Sequence, residues 1–343
     1  MRAALVERYA IQEELGAGGM ATVTRLQIAG LRFGAGMFLA LLGCTGGDSI
    51  ENRNSRSRQP VPTILANNAF YYYEDVDAAE QFYATTLGLR TVSDFGFAKI
   101  LQVAPTSYLT LVDADSGMHS SSEPKSVTLA IVTEQVENWY DHLTDAGVSF
   151  RTDLLVVDGR PHDGFVAIDP EGYFLEFERF NEHAENERLI PRLREIEPLT
   201  VAVGDGLTIS ATVLWLYYNV LSPIQRFYEQ ALGTRMIVDQ GWAKVYPTSR
   251  TGFIGFVDGA RGLHRATAEK GVSVSFFTDD VEAWFARMAG QPDFEFRTEE
   301  LGDESGRVRT FVGYDPGRYF LEWDTFLDTP GNEELVALLE RER

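Results

Sequence analysis

The sequence predicts an α+β fold: two tandem copies of one domain, each copy made of two βαβββ units. Three observations carry that prediction. First, the chain repeats itself. Residues 94–119, DFGFAKILQVAPTSYLTLVDADSGMH, align without a gap on residues 239–264, DQGWAKVYPTSRTGFIGFVDGARGLH, at an offset of 145. Second, each copy runs twice through the same order of a strand, an amphipathic helix and three strands. Third, 343 residues with 44% hydrophobic and 24% charged side chains suffice for two ordinary globular cores.

The elements follow in order. Phe70–Tyr73 is an aromatic-rich run that reads as a strand. Asp77 and Glu80 stand at capping-box spacing, and Phe82, Tyr83 and Leu87 give a helical stripe that stops at Gly88. Strands are expected near 89–94, 97–103 and 107–112, followed by a loop that carries His119. The pattern restarts with a strand at 126–132, a helix at 134–146 ending at Gly147, and strands near 149–157, 163–168 and 173–178. In the second copy Ser222, Pro223 and Gln225 read as cap, first-turn proline and box partner. After one inserted residue the offset becomes 146, and DPEGYFLEF (169–177) lies over DPGRYFLEW (315–323). The copies are expected at 64–197 and 210–343.

The region before the repeat has a different character. Arg25 and Arg32 precede the apolar run Phe33–Leu42, which is too short for a spanning helix of ~20 residues but suits the core of a secretory signal. The string LLGC ending at Cys44 resembles a bacterial lipobox, which implies lipidation of Cys44 as the first mature residue. The alternative reading is a buried cysteine in a short apolar helix. Residues 23–43 are thus expected as the signal and 44–63 as a polar tether, which implies a bacterial cell-envelope protein anchored by lipid on the periplasmic side. Further upstream, residues 7–23 resemble the Gly-rich loop of a Ser/Thr protein kinase, with Gly16, Gly18 and Gly19 in the loop positions. No lysine occurs before Lys99, so residues 1–22 read as a non-functional fragment or a misassigned start.

Charge and cysteine count exclude several functions. A net charge of −21 argues against nucleic acid as a partner. One cysteine makes neither an internal disulfide nor a thiolate zinc cluster.

EDVDAAEQFYATTLGL (74–89), VTEQVENWYDHLTDAGV (132–148) and DPEGYFLEF (169–177) resemble the vicinal oxygen chelate superfamily, which includes glyoxalase I, extradiol dioxygenases and bleomycin-binding proteins. The resemblance implies tandem glyoxalase-like domains, each with two βαβββ units forming a curved half-barrel sheet around a ligand cavity. It also implies metal ligands on the first strand of each unit and on the last strand. The last-strand glutamate is present twice, as Glu176 and Glu322. The other positions carry Asn68 and Val213 on first strands, and Thr128 and Ser273 within a residue or two of the second position. That is a poor donor set for a transition metal, leaving at most one divalent ion, in the first domain at Glu176.

Glu176 and Glu322 are therefore candidates for general-base or ligand-anchoring work, or carboxylates held structurally in the sheet, with Lys99 and Lys244 on central strands as plausible partners. His119 and His264 share a Gly-x-His loop pattern followed by Lys125 and Lys270, and could act as acid, base or anion contact, or simply be solvated. His162 and Asp163 occur in the first copy only. Tyr73 and Tyr218 belong to aromatic strands that either pack the core or line a cavity for a flat ligand. The expected function is small-molecule binding in the barrel, with lyase- or isomerase-type chemistry if any. The alternatives are a metal-dependent glyoxalase or dioxygenase, and a non-enzymatic sequestering protein. The chain is expected as a monomer or homodimer.

Overall fold

A computed structural model describes residues 60–343, residue 205 excepted. The kinase-like segment, the signal segment, Cys44 and the tether up to residue 59 lie outside the described residues. Within them no helix is long and apolar enough to cross a membrane.

Four units follow one another. The first comprises β1 (Ala66–Tyr73), α1 (Val76–Thr85), β2 (Arg90–Asp94), β3 (Ala98–Ala104) and β4 (Ser107–Asp113). The second comprises β5 (Val127–Val132), α2 (Val136–Asp145), β6 (Ser149–Leu155), β7 (His162–Ile168) and β8 (Phe174–Phe180). A short connection holds α3 (Ile190–Arg194), β9 (Leu199–Thr200) and β10 (Thr208–Ile209). The third unit has β11 (Ala211–Tyr218), α4 (Leu221–Ala231), β12 (Val238–Asp239), β13 (Ala243–Pro247) and β14 (Gly252–Asp258). The fourth has β15 (Val272–Phe277), α5 (Val281–Met288), the short β16 (Glu295–Phe296) and β17 (Gly302–Glu304), then β18 (Val308–Tyr314), β19 (Phe320–Phe326) and the closing α6 (Glu333–Glu340).

The repeat thus folds as the periodicity predicts, in a mixed α+β arrangement of two large sheets. Assembly of the units differs from a copy-by-copy reading. The first sheet runs β16-β18-β19-β15-β1-β4-β3-β2, joining units one and four; the second runs β12-β13-β14-β11-β5-β8-β7-β6, joining units two and three. At each centre two first strands pair antiparallel: β1 with β15, and β11 with β5. Each groove therefore takes one wall from either copy, where a cavity within each copy was expected. The unit edges are alike in all four repeats, so the backbone hydrogen bonds are made equally well with a unit of the other copy.

Two helix starts also differ. Asp75, not Asp77, caps α1, its Oδ1 accepting from the Ala78 N–H at 2.9 Å. Glu80 instead turns to Lys99, at 2.8 Å. In α4 no side chain caps the N-terminus, and Gln225 donates to the Tyr246 hydroxyl. Gly88 ends the α1 region with φ +68°, a left-handed position that a side chain would strain.

Alternation along the strands separates two faces. Tyr71, Tyr73 and Leu109 of the first sheet share a core with Leu129, Leu214 and Leu216 of the second, and Trp139 and Trp284 from the helices join them. Buried aspartates knit this core. Asp169 accepts from the hydroxyls of Tyr73 (2.6 Å) and Tyr83 (3.0 Å), and Asp315 from Tyr218 (2.7 Å) and Tyr228 (3.1 Å). Tyr173 then locks the first sheet: its hydroxyl takes the Tyr72 N–H and donates to Gly271 O across the β1–β15 junction. Tyr319 does the same for the second sheet, between the Tyr217 N–H and Ser126 O. The opposite faces form two grooves. One end of each is filled by the segment after its last strand: Leu189 and Ile190 against Val213, and Leu335 and Leu339 against Tyr108 and Phe277.

Candidate functional site

Each groove has the same floor. On β8, Glu176 and Glu178 alternate with Phe177 and so point to one face; on β19, Glu322 and Asp324 do the same around Trp323. Both pairs line a cavity. Glu178 and Asp324 are the members that sequence reasoning passed over. The period-two spacing of acids in EFE and EWD was the available signal.

The first groove, about 530 Å³ with its open mouth, is walled by Phe70, Tyr72, Phe95 and Phe97, with Val308 and Phe326 opposite. Each of its acids accepts one hydroxyl hydrogen bond, while Asp324 Oδ1 stays buried without a partner. Ser275 Oγ donates to Asp324 Oδ2 at 2.5 Å, and Thr310 Oγ1 to Glu322 Oε1 at 3.2 Å. Asn68 Oδ1 accepts from Thr110 Oγ1, while its buried Nδ2 has no hydrogen-bond partner. Burial, and then the charge of Glu322 beside it, pushes the Asp324 carboxyl well above the usual range. A proton is thereby retained on this floor at pH values where an exposed aspartate has lost it.

The second groove is smaller, about 370 Å³, because larger rings occupy it. Trp215 stands where Phe70 does and Trp242 where Phe97 does. Trp215 fits only because residue 255 is glycine: a Cβ there would lie 2.0 Å from the indole. Burial pushes Glu176 up to about 7; burial, and then the Glu176 charge, holds Glu178 well above the usual carboxylate range. His162 lines this groove, with its basicity lowered by burial and then by Arg160.

The remaining candidates are distributed as follows. His119 sits behind the first groove, edge-on to Tyr72 at 5.0 Å, with Nδ1 2.7 Å from Glu123. His264 packs on Phe174 (4.4 Å) and edge-on to Tyr217 behind the second, and burial lowers its pKa to about 4. Tyr72 and Tyr217, whose rings these histidines touch, hydrogen-bond Ser273 (2.7 Å) and Thr128 (2.8 Å) across the central strand pairs. Tyr73 and Tyr218 lie on the core face, bound to Asp169 and Asp315, because strand alternation turns them away from the grooves. Lys99 faces α1 and pairs with Asp77 and Glu80, and Lys244 pairs with Asp239; neither lysine reaches Glu176 or Glu322. Lys125 and Lys270 lie over the rings of Tyr173 (4.7 Å) and Tyr319 (4.5 Å). Asp163 accepts from Arg179 (2.9 Å) and Asn181 (3.0 Å), a structural tie at the edge of the groove.

Strand register tests the metal reading. In the first sheet Asn68, Ser275 and Glu322 form one rung across β1, β15 and β19. In the second sheet the matching rung is Val213, Ala130 and Glu176. Moving two residues along the strands brings Trp215 and Thr128, with no histidine. Each rung thus holds one carboxylate, and the second acid of each floor lies two residues further along its strand, so the donors of a transition-ion site are not gathered on one rung. Among the described residues no group of three or more His, Cys, Asp or Glu side chains could hold a metal.

Residues 66–177 match the model of a family described as the Glyoxalase/Bleomycin resistance protein/Dioxygenase superfamily. No curated protein sequence matches the chain. Among solved structures, glyoxalase I from Zea mays aligns at 15% identity with a TM-score of 0.52, over 82% of this chain and 96% of that one. A candidate dioxygenase from Bacillus subtilis aligns at 15% identity with a TM-score of 0.54, over 79% and 87%. At such identity the likeness speaks for the fold alone.

Proposed function

Starting from residues 66–177 as a Glyoxalase/Bleomycin resistance protein/Dioxygenase superfamily domain, we propose that the first groove binds a small, flat organic molecule and handles it without a transition metal. The observation that carries this reading is the aromatic slot of Phe70, Tyr72, Phe95 and Phe97 above a buried carboxyl pair. The rings supply an apolar seat for a planar body. The Asp324 carboxyl, kept protonated by burial, donates a proton or hydrogen bond to a ligand oxygen, and Glu322 accepts one. Ser275 and Thr310 hold the two carboxyl groups in place. Together these residues suit isomerase- or lyase-type proton transfer next to a carbonyl.

The test is a turnover and binding screen of aromatic carbonyl compounds with the full chain. Phe97→Ala is expected to weaken binding with kcat nearly intact. Glu322→Gln is expected to lower kcat by about 10²–10⁴-fold, the usual weight of a general acid or base. Binding that survives Glu322→Gln with no turnover in the parent chain would instead favour sequestration.

We further propose that the chain is lipid-anchored at Cys44 in a bacterial cell envelope, on the periplasmic side, on the strength of the LLGC string behind its basic and apolar run. The chain supplies both halves of each sheet itself, which favours a monomer. Expression in a bacterial host should place the protein in the membrane fraction, with mass spectrometry showing an acylated Cys44. Cys44→Ser should release it. Unmodified, soluble parent protein would refute the anchor.

A further inference from the structure

The two grooves carry equivalent acid pairs, Glu322 with Asp324 and Glu176 with Glu178, but treat them differently. In the first, Ser275 and Thr310 give hydroxyl donors to the acids. The repeat places Ala130 and Gly164 at the matching positions of the second. Gly164 cannot take a side chain, since a Cβ there would meet Phe177 O at 2.2 Å. Glu178 is 3% exposed, and its Oε2 faces the groove without a hydrogen-bond partner. The indole N–H of Trp215 is directed at the neighbouring Glu176, whose carboxyl it helps to ionise, and so leaves Glu178 without that donor. Leaving a buried carboxyl oxygen unanswered is costly; no lysine or arginine lines the groove to answer it, and His162, the one imidazole there, makes no hydrogen bond to it.

We infer that the second groove is a separate site for a small primary or secondary ammonium compound with an apolar body, its N–H groups bound by Glu178. This inference does not rest on the reading of the first groove. An ammonium group brings donors to Glu178 together with a positive charge that favours its ionised form. Trp215, Trp242 and Tyr217 offer ring faces to its apolar part and to the cation itself. Trp242 already holds one cation in this way: the Arg261 guanidinium lies 5.4 Å from its ring centroid. The ligand class follows from what the protein withholds. A neutral alcohol has a donor but no charge, and a quaternary ammonium has the charge but no N–H.

Three probes of similar shape separate these terms: benzylammonium, benzyl alcohol and benzyltrimethylammonium. They are titrated into the full chain by calorimetry, with NMR of the Trp215 and Trp242 indole N–H signals as a local readout, since no tryptophan lines the first groove. Benzylammonium is expected to bind and shift the Trp215 signal. The other two probes are expected to bind about 10–100-fold more weakly, the weight of a hydrogen bond to a charged group. Glu178→Gln should cost a similar factor. Ala130→Ser, which builds the first groove's donor into the second, should also weaken binding by giving Glu178 a hydrogen bond of its own. The inference is overturned by no binding of benzylammonium, by equal binding of the alcohol, or by binding unchanged in either variant.

Discussion

Glu176 and Glu178 show how one residue's burial writes itself into stability. The Glu176 carboxyl titrates near 4.5 when exposed and is pushed up to about 7 in the fold. Below pH 4.5 both states hold the proton and nothing is lost. Between 4.5 and 7 the unfolded chain releases it more readily, so stability falls as pH rises, and the full cost is present above 7. Glu176→Gln should therefore raise Tm at pH 8 and leave it nearly unchanged at pH 4.5. Thermal melts of both proteins across that range check it, and a parallel pH profile would refute it. Glu176 and Glu322 were legible in the sequence because the repeat set them over one another. Their partners Glu178 and Asp324 differ between copies in residue type, and they emerge only when alternation is followed to the end of the strand. Tyr73 and Tyr218 show the converse. Their density on one strand marked them for attention, but a one-residue step decides which face they take.

At the scale of elements, the grooves differ through paired exchanges rather than single ones. Thr110 beside Phe70 in the first sheet becomes Gly255 beneath Trp215 in the second. Gly255→Thr should force the indole out of place and destabilise the protein by about 1–3 kcal/mol, as overpacking does. Adding Trp215→Phe, which reproduces the first groove's pair, should recover most of the loss. Urea denaturation of the two single variants and the double gives the coupling; additive effects would show that the two positions are independent. Helices and strands were placed correctly by periodicity because burial of one face demands it. Their caps were less legible: Asp75 and Asp77 both satisfy the local spacing, and the choice falls to Asp75 because Asp77 and Glu80 are drawn to Lys99 on β3.

At the scale of the molecule, the repeat says which units are alike and is silent on which of them pair. The cross-copy arrangement yields a prediction of its own. A fragment spanning 64–197 holds β1 and β5 but neither of their antiparallel partners, β15 and β11. Two such fragments together offer what each lacks. Expressed alone, this half should sediment as a dimer, because an open central edge is a template for pairing. A folded monomer in analytical ultracentrifugation would mean that the two units of one copy close on each other.

The same pairing sets an order of completion during synthesis. Units two and three are contiguous, so the second sheet has all its strands once Asp258 has emerged. The first sheet encloses it in the chain: β1 emerges early, yet waits for β15, some two hundred residues later, before its open side is covered. Loop closure over that distance is slow and leaves an aromatic strand edge bare on the growing chain. A nascent copy is thus most exposed to mispairing with neighbouring nascent chains between those two moments. Translational pausing, chaperone capture and loss to aggregation would all concentrate in that interval.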